Sequence, residues 1–197
     1  VDIGQIGSSY QPGHAHADTF NFVLNANNEP FIVDTGISTY NVGNIRLKER
    51  GTIAHNTVTV LDKNSSEVWS SFRVARQAKV KIIKDNRKTV FAQHDGFRNL
   101  RTTHQREWNF LKNQIEITDT LTGKITEGKA HLWLAPQLDS KQNGQVVEVG
   151  NATITFENAD SVELILTQIP NGYNRFLNSY KIEVAFKGNL KTIISIA

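Results

Sequence analysis

The sequence predicts an all-β fold, an antiparallel β-sandwich of about a dozen strands. Apolar and polar residues alternate with a period of two along most of the chain, a pattern typical of half-buried strands. Convincing apolar stripes with the 3.6-residue helical period are nearly absent. Short clusters of Gly, Asn, Asp and Lys separate the alternating segments, as in hairpin turns. One open sheet of so many strands would expose an apolar face, so we expect two packed sheets.

The first two predicted strands form a hairpin. TFNFVLN (19–25) places Phe20, Phe22 and Leu24 on one face, NANNEP makes the turn, and FIVD (31–34) is the return strand. This hairpin brings Asp34, at the end of the return strand, close to position 20.

The remaining strands are predicted in the same way. HNTVTVLD (55–62) places Val58 and Val60 on one face. Residues 78–84 and 88–94 form a hairpin, and a second hairpin turns at Lys112–Asn113 between residues 101–111 and 113–121. Further strands are expected at 129–136, 145–149, 152–156, 162–168, 180–186 and 190–197, the last two linked by Lys187-Gly188-Asn189.

One long irregular passage interrupts this pattern. Residues 35–54 are rich in Gly, Asn and charge, and Asp34 and His55 bracket them. Loops of this length inside a compact β domain are usually functional or disordered, and the bracketing residues favour function here. No internal repeat or linker divides the chain, so we expect one domain, residues 1–197.

The composition excludes several classes of protein and site. The 197 residues include no Cys, which excludes disulfides and thiolate metal sites. No apolar run approaches the roughly 18 residues of a membrane span. The chain also lacks Met, even at its first residue, so we expect a processed or excised piece of a longer protein. The absence of Cys fits a periplasmic or secreted bacterial protein, although a cytosolic protein could have the same composition.

The charge is unevenly distributed along the chain. Residues 46–112 carry 15 Lys and Arg against 6 Asp and Glu, whereas the rest of the chain carries 7 against 13. This basic block favours an anionic partner, and solvated strand faces are the alternative interpretation. It lacks the Gly and aromatic pattern of a nucleic-acid module, so no nucleic-acid partner is expected.

The histidines suggest a metal site. His14 and His16 would lie on the same face of an extended segment, Asp34 would lie close to them, and His55 opens another strand. Imidazoles and a carboxylate gathered in this way suit Zn²⁺, with a fourth position left to water. Alternatively, these are separate hydrogen-bonded histidines, and Tyr40, Arg46 and Arg50 are solvated loop residues. We expect three other histidines to be ordinary strand residues: His94, His104 and His131.

Three ordered motifs resemble a known family. GHAHADTFNF, PFIVDTGISTYN and RGTIAHNTVTVLDKNSSEVWSSFRVARQA are similar to the C-terminal β-sandwich domain of heparinase II/III-type polysaccharide lyases. That group includes heparin, heparan sulfate and alginate lyases. HDGFRNLRTTHQREW and IEITDTLTG resemble a weaker continuation, so the resemblance spans most of the chain.

The resemblance implies a role for six residues. Substrate would bind in a cleft between this domain and an N-terminal helical toroid, which is absent from these 197 residues. A metal, usually zinc but with Ca²⁺ or another divalent ion as alternatives, would be held by His16, Asp34 and His55. His14 would face the substrate as a catalytic residue, and Tyr40 and Arg50 would contact substrate or support the site.

The implied activity is β-elimination of acidic, uronate-containing glycans. His14 would neutralise the uronate carboxylate or act as the base, and the chain without its toroid is expected to be inactive. The glycan could be a sulfated glycosaminoglycan, alginate or a capsule polymer. Three alternatives remain: a non-catalytic module that binds anionic polysaccharide, a scaffold domain in capsule or lipopolysaccharide metabolism, and a cupin-like metalloenzyme.

Overall fold

The structure, a computed structural model, describes residues 1–8 and 10–196, and it confirms the all-β prediction. The described residues also contain one short helix, α1 (Asn44–Glu49), and two 3-10 turns at Thr52–Ala54 and Arg98–Leu100. The strands are β1 (Leu24–Ala26), β2 (Glu29–Ile32), β3 (Val58–Thr59), β4 (Glu67–Trp69), β5 (Arg73–Ala75), β6 (Val80–Asp85), β7 (Thr89–His94), β8 (Thr102–Phe110), β9 (Gln114–Gly123), β10 (Glu127–Trp133), β11 (Ser140–Asn143), β12 (Val146–Val149), β13 (Ala152–Pro170) and β14 (Phe176–Ile196).

Two long strands, β13 and β14, take part in both layers of the sandwich. Along one edge of β14, residues 181–187 pair with β10, and residues 189–195 pair with β9. Gly188 lies at this change of partner with φ 77°, a conformation that glycine adopts without strain. The pairing between β13 and β14 shifts register at the same level, beside Asn158. Such bulges and bends let one strand pass from sheet to sheet.

The bend of β13 and β14 at Asn158 and Gly188 divides the strands between two layers. One layer runs β11-β12-β13-β14-β9-β8-β7-β6, and β10 joins β14 to β3 in the other. All of these pairs are antiparallel. Side chains from both layers meet in one buried cluster, which includes Trp108, Ile154, Phe156, Ile182, Val184, Phe186 and Ile194. Two small sheets, β1–β2 and β4–β5, lie outside the main path.

Most predicted hairpins are confirmed. Asn27 and Asn28 have φ 52° and 65° and make the tight turn between β1 and β2. The β6–β7 and β8–β9 hairpins pair as expected. Two pairs of predicted strands merge instead, because the segments 152–156 and 162–168 are both parts of β13, and 180–186 and 190–197 both belong to β14 as far as Ile196.

The predicted strand at residues 19–25 is largely wrong. Only Leu24 and Asn25 of this segment are in a strand, and a turn covers Thr19 and Phe20. Phe20 has φ 71°, which breaks the alternation, and its ring is fully buried. The apolar pattern therefore identified buried residues correctly, but the chain buries them without a strand.

The passage at residues 35–54 contains α1, which the sequence pattern did not indicate. A helix is recognised by an apolar stripe, but the side chains that α1 buries are those of Arg46 and Glu49. Glu49 Oε1 accepts hydrogen bonds from the backbone N–H and the hydroxyl of Ser38. Buried polar contacts therefore hold the helix against the loop.

We expect Gly123→Ala to destabilise the fold. Gly123 ends β9 with φ 124°, and a Cβ there would lie 2.0 Å from the carbonyl oxygen of Arg101. The clash and the strained backbone should lower the free energy of unfolding by about 2–4 kcal/mol, measured by urea denaturation. Gly43→Ala is the matched control, because nothing lies within 4 Å of its Cβ position. Equal stabilities of the two variants would contradict this account.

Candidate functional site

The segment that carries His14 and His16 is irregular. Ala15 N–H donates to Pro12 O at 3.0 Å, and a turn covers residues 13–14, so the prediction of two histidines on one strand face is wrong. The two imidazoles have different neighbours. The ring of His14 contacts Tyr40 and Phe72, whereas that of His16 lies against His55.

His14 belongs to an exposed aromatic cluster. Its ring centroid lies 5.6 Å from that of Phe72 and 6.1 Å from that of Tyr40, edge-on to both. The Tyr40 and Phe72 rings are nearly parallel, 6.0 Å apart, and are 50% and 46% exposed. The guanidinium of Arg46 lies 5.2 Å from the centre of the Tyr40 ring. Aromatic faces beside an imidazole and a cation form a surface suited to a sugar ring that bears negative charge.

His16, Asp34 and His55 come together beside this cluster. Asp34 Oδ2 lies 2.7 Å from His55 Nδ1, and the rings of His16 and His55 are 5.3 Å apart. Nε2 of His16 accepts a hydrogen bond from Arg46 Nη1 at 3.4 Å. Nε2 of His55 is buried and has no hydrogen-bond partner among the described residues. The expected proximity of these three side chains is therefore observed.

Burial controls the charges in this group. It lowers the pKa of His16 to about 4, helped by the nearby His55 and Arg46, so the imidazole is neutral near pH 7. Burial raises the pKa of Asp34, but the hydrogen bond and charge of His55 outweigh this and lower it below its usual value. Burial also raises the pKa of Asp18 to about 6. Neutral imidazole and ionised carboxylate are the forms that bind metal ions.

The donor set fits a zinc ion in its chemistry, with two imidazoles and a carboxylate. The orphaned Nε2 of His55 is an observation in favour, because a buried imidazole nitrogen normally has a partner. Within residues 1–8 and 10–196, however, no three His, Asp or Glu side chains already have the arrangement of a metal site. The Arg46 contact occupies Nε2 of His16, so this nitrogen must leave Arg46 in order to bind a metal.

Arg50 is buried rather than exposed to a cleft. Its Nε and Nη2 both donate to Ala15 O, and its Nη1 donates to Ser70 O at 3.2 Å. The residue has no solvent exposure. Arg50 therefore ties the backbone between His14 and His16 to the β4–β5 hairpin that carries Phe72.

Two asparagines that the sequence did not single out hold the metal-binding candidates in place. Asn21 Nδ2 donates to Asp34 Oδ2 at 2.6 Å, and Asn21 Oδ1 accepts the backbone N–H of Asn56 at 2.9 Å. The side chain of Asn56 donates to Phe22 O and Val33 O and accepts from Trp133 N–H. The only sequence signal for Asn56 was its place directly after His55.

Arg46 and Phe72 were also missed as site residues. Arg46 lies in α1, a helix that the alternation pattern did not indicate, and Phe72 lies in the turn of a hairpin outside the predicted strands. The available signal was the pair of aromatic residues in EVWSSFRVA, Trp69 and Phe72, which are separated by Ser70 and Ser71. Beside the cluster, a cleft of about 320 Å³ is lined by Gln11, Pro12, His14, His16 and Asp18, among others.

Comparisons with known proteins agree with this architecture. A family model described as "Heparinase II/III-like, C-terminal" matches residues 1–197. The heparan sulfate lyase HepC from Pedobacter heparinus is 20% identical with a TM-score of 0.75, over 92% of this chain and 31% of that one. A heparinase III structure is 16% identical with a TM-score of 0.74, over 93% of this chain and 31% of its own. No curated protein gave a significant match.

The present chain therefore spans about a third of the length of these solved proteins. At such low identity, the structural likeness establishes a shared fold. The same fold therefore occurs in a heparan sulfate lyase and in a heparinase III.

We expect Arg50→Met to destabilise the protein by about 2 kcal/mol, because it leaves the partly buried carbonyls of Ala15 and Ser70 without donors. Urea denaturation measures this difference, with Arg87→Met, in an exposed turn, as a control that should change stability by less than about 0.5 kcal/mol. Limited proteolysis should cut the β4–β5 hairpin of the Arg50 variant faster. Unchanged stability and cleavage would mean that Arg50 does not secure the hairpin.

Proposed function

Because this chain belongs to the heparinase II/III-like C-terminal family, we propose that it is the β-sandwich domain of a polysaccharide lyase that cleaves uronate-containing glycans by β-elimination. One observation carries the proposal. The imidazole of His14 lies at the surface, in contact with Tyr40 and Phe72 and beside a cleft, while the ring of His16 lies against His55. An accessible imidazole beside a cation can take a proton from an acidic sugar or neutralise its carboxylate.

The chemistry needs a base, charge neutralisation and an acid. The base removes the proton at C5 of the uronate, negative charge develops on the carboxylate, and the C4–O4 bond breaks as the C4=C5 double bond forms. An acid protonates the departing O4. Stabilisation of the developing charge by a nearby donor or cation is usually the largest catalytic contribution. In the proposal, His14 neutralises the carboxylate or takes the proton.

The surroundings of His14 support contact with an anionic sugar. Tyr40 and Phe72 offer exposed ring faces, and Arg46 brings a positive charge beneath them. In the proposal, Tyr40 contacts substrate and Arg50 supports the site through Ala15 O. The basic block at residues 46–112 would attract the polyanion at longer range. A sulfated glycosaminoglycan, alginate and capsule uronates all share the necessary charge.

A zinc ion is part of the proposal. His16, Asp34 and His55 would hold it. When bound, the ion would supply cross-linking between three irregular segments rather than chemistry on the substrate. Its effect on His14 would be indirect, since Ala15 alone separates that residue from His16.

We also propose a further region of the complete protein as a partner of this domain, and a periplasmic or secreted location. The solved lyases are about three times as long as this chain, so we infer that the complete protein contains a further region, a helical toroid, that closes the cleft and supplies the missing acid or base. A periplasmic or secreted bacterial location suits a polysaccharide substrate. Among the described residues, none of the helices has the length and apolar character needed to cross a membrane.

In the full-length protein, we expect His14→Ala to lower kcat on a uronate polymer by about 10²–10⁴-fold, because the base or neutralising group is lost. The rise in ultraviolet absorbance from the unsaturated uronate product measures turnover. Glycan binding, measured by calorimetry, should persist. His131→Gln is the control, since His131 is buried and does not line the cleft.

Residues 1–197 without the rest of the protein should show little or no turnover. Full activity of His14→Ala would remove His14 from the mechanism. Binding without turnover by the unaltered full-length protein, on a panel of uronate polymers, would favour the non-catalytic glycan-binding module instead.

We expect the purified full-length protein to contain about one zinc per chain, measured by elemental analysis. Combined His16→Ala, Asp34→Ala and His55→Ala substitutions should abolish this content and lower the melting temperature, because metal binding contributes to folding stability. Replacement of His131 by Gln should leave the zinc content unchanged, because the His131 side chain bonds Thr59 and contacts none of the three ligands. Equal zinc contents in the triple variant and the unaltered protein would refute the assignment.

A further inference from the structure

A buried line of polar side chains runs through β7, β8 and β9, outside the proposed site. Gly96 N–H donates to His94 Nδ1 at 3.0 Å, and His94 Nε2 lies 2.9 Å from His104 Nδ1. His104 Nε2 lies 2.6 Å from Asp119 Oδ1. All three side chains are at most 1% exposed. Two of the three histidines expected to be ordinary strand residues, His94 and His104, are therefore members of an interior network.

One placement of protons satisfies every contact in this line. The Gly96 N–H can only donate, so Nδ1 of His94 accepts and its proton is on Nε2. His94 then donates to Nδ1 of His104, and His104 donates from Nε2 to the carboxylate of Asp119. Both imidazoles are neutral, in keeping with burial, which lowers the pKa of each. The line therefore has a single direction that ends at Asp119.

Arg106 connects the line to the loops of the site. Its Nε and Nη2 donate to the two oxygens of Asp119, at 2.6 and 2.9 Å. Its Nη1 donates to Phe20 O at 2.9 Å and to Asn56 O at 2.7 Å. Asp119 thus fixes the plane of the guanidinium. The remaining nitrogen, Nη1, holds two carbonyls from irregular segments.

These two carbonyls belong to the neighbours of site residues. Asn56 follows His55, and Phe20 precedes Asn21, in a positive-φ conformation that needs support. Asn21 joins the two segments, since it accepts from Asn56 N–H and donates to Asp34. Hydrogen bonds therefore run without a break from the interior of the sheet to Asp34.

We infer that Arg106 is a positioning residue of the site, aligned by Asp119, His104 and His94, and that it fixes the backbone at Phe20 and Asn56. Asn21, Asp34 and His55 then take their places relative to His14. The inference rests on the proposed function for its catalytic consequence. A buried ion pair contributes little to stability beyond what apolar residues of similar size would give. An apolar pair cannot supply the Nη1 hydrogen bonds that hold both carbonyls while Nε and Nη2 bind Asp119.

The test uses the double variant Arg106→Met/Asp119→Asn in the full-length protein. The amide oxygen introduced at position 119 would still accept from His104, and no unpaired charge is left in the interior, so the chain should fold. The melting temperature should fall, because the carbonyls of Phe20 and Asn56 lose their donor. Lys191→Met/Glu116→Gln is the matched control, because it removes a partly exposed ion pair of 3.1 Å from β14 and β9 of the same sheet. Arg106→Lys is a second variant that keeps the charge but loses the fork.

We expect hydrogen exchange of the Asn56 and Trp133 amides to accelerate by about tenfold or more in the double variant, with the amide of Val184 in β14 unchanged. We expect kcat to fall by about 10–100-fold while KM changes by less than about threefold, because misplaced groups cost rate more than affinity. Arg106→Lys should show the same pattern, and the control variant should behave like the unaltered protein.

Unchanged exchange at Asn56 and Trp133 would overturn the inference. So would equal acceleration at all amides, including that of Val184, since a global loss of stability without a local effect is a purely structural role. If the unaltered protein has no lyase activity, the proposed function fails, and the exchange pattern alone still decides whether Arg106 positions these loops.

Discussion

The site depends on Asn56, whose backbone and side-chain polar groups are all hydrogen-bonded to other parts of the chain. Its N–H and C=O, its amide oxygen and both hydrogens of its amide nitrogen are used, and the residue is fully buried. Such a residue cannot be exchanged without leaving several interior groups unpaired, each at a cost of about 1–3 kcal/mol. Its partners are Asn21, Phe22, Val33, Arg106 and Trp133.

The site is built on irregular backbone, and this explains why so many buried side chains are polar. Residues 15–19 have no strand partner, so their carbonyls need other donors. Side chains from one later stretch supply them in order: Arg50 to Ala15, Thr52 to Ala17 and Thr57 to Thr19. The two stretches are thereby aligned side by side without a β-ladder, and each histidine takes a fixed place.

Alternation predicted most strands of the main sheet, but it failed at residues 19–25, where buried rings lie on irregular backbone. The β6–β7 and β8–β9 hairpins were recognised because their turns are short and polar. The sequence pattern also marked Gly188 as a break, but the structure uses it as a bend inside β14. A break in alternation looks the same whether the chain turns back or passes to the other sheet, so sequence could not distinguish the two.

The sequence by itself determined the fold class, the hairpins and the proximity of Asp34 to the segment after His16, because these follow from local periodicity and short turns. It also supplied the motifs that identify the family. Tertiary structure alone decided that Arg50 faces carbonyls, that Arg46 and Phe72 join His14, and that His94 and His104 align Arg106. Those contacts join residues that are far apart along the chain and lie in irregular segments. Side chains in such segments do not point in a regular, periodic direction. Their direction depends instead on which buried polar groups need hydrogen-bond partners.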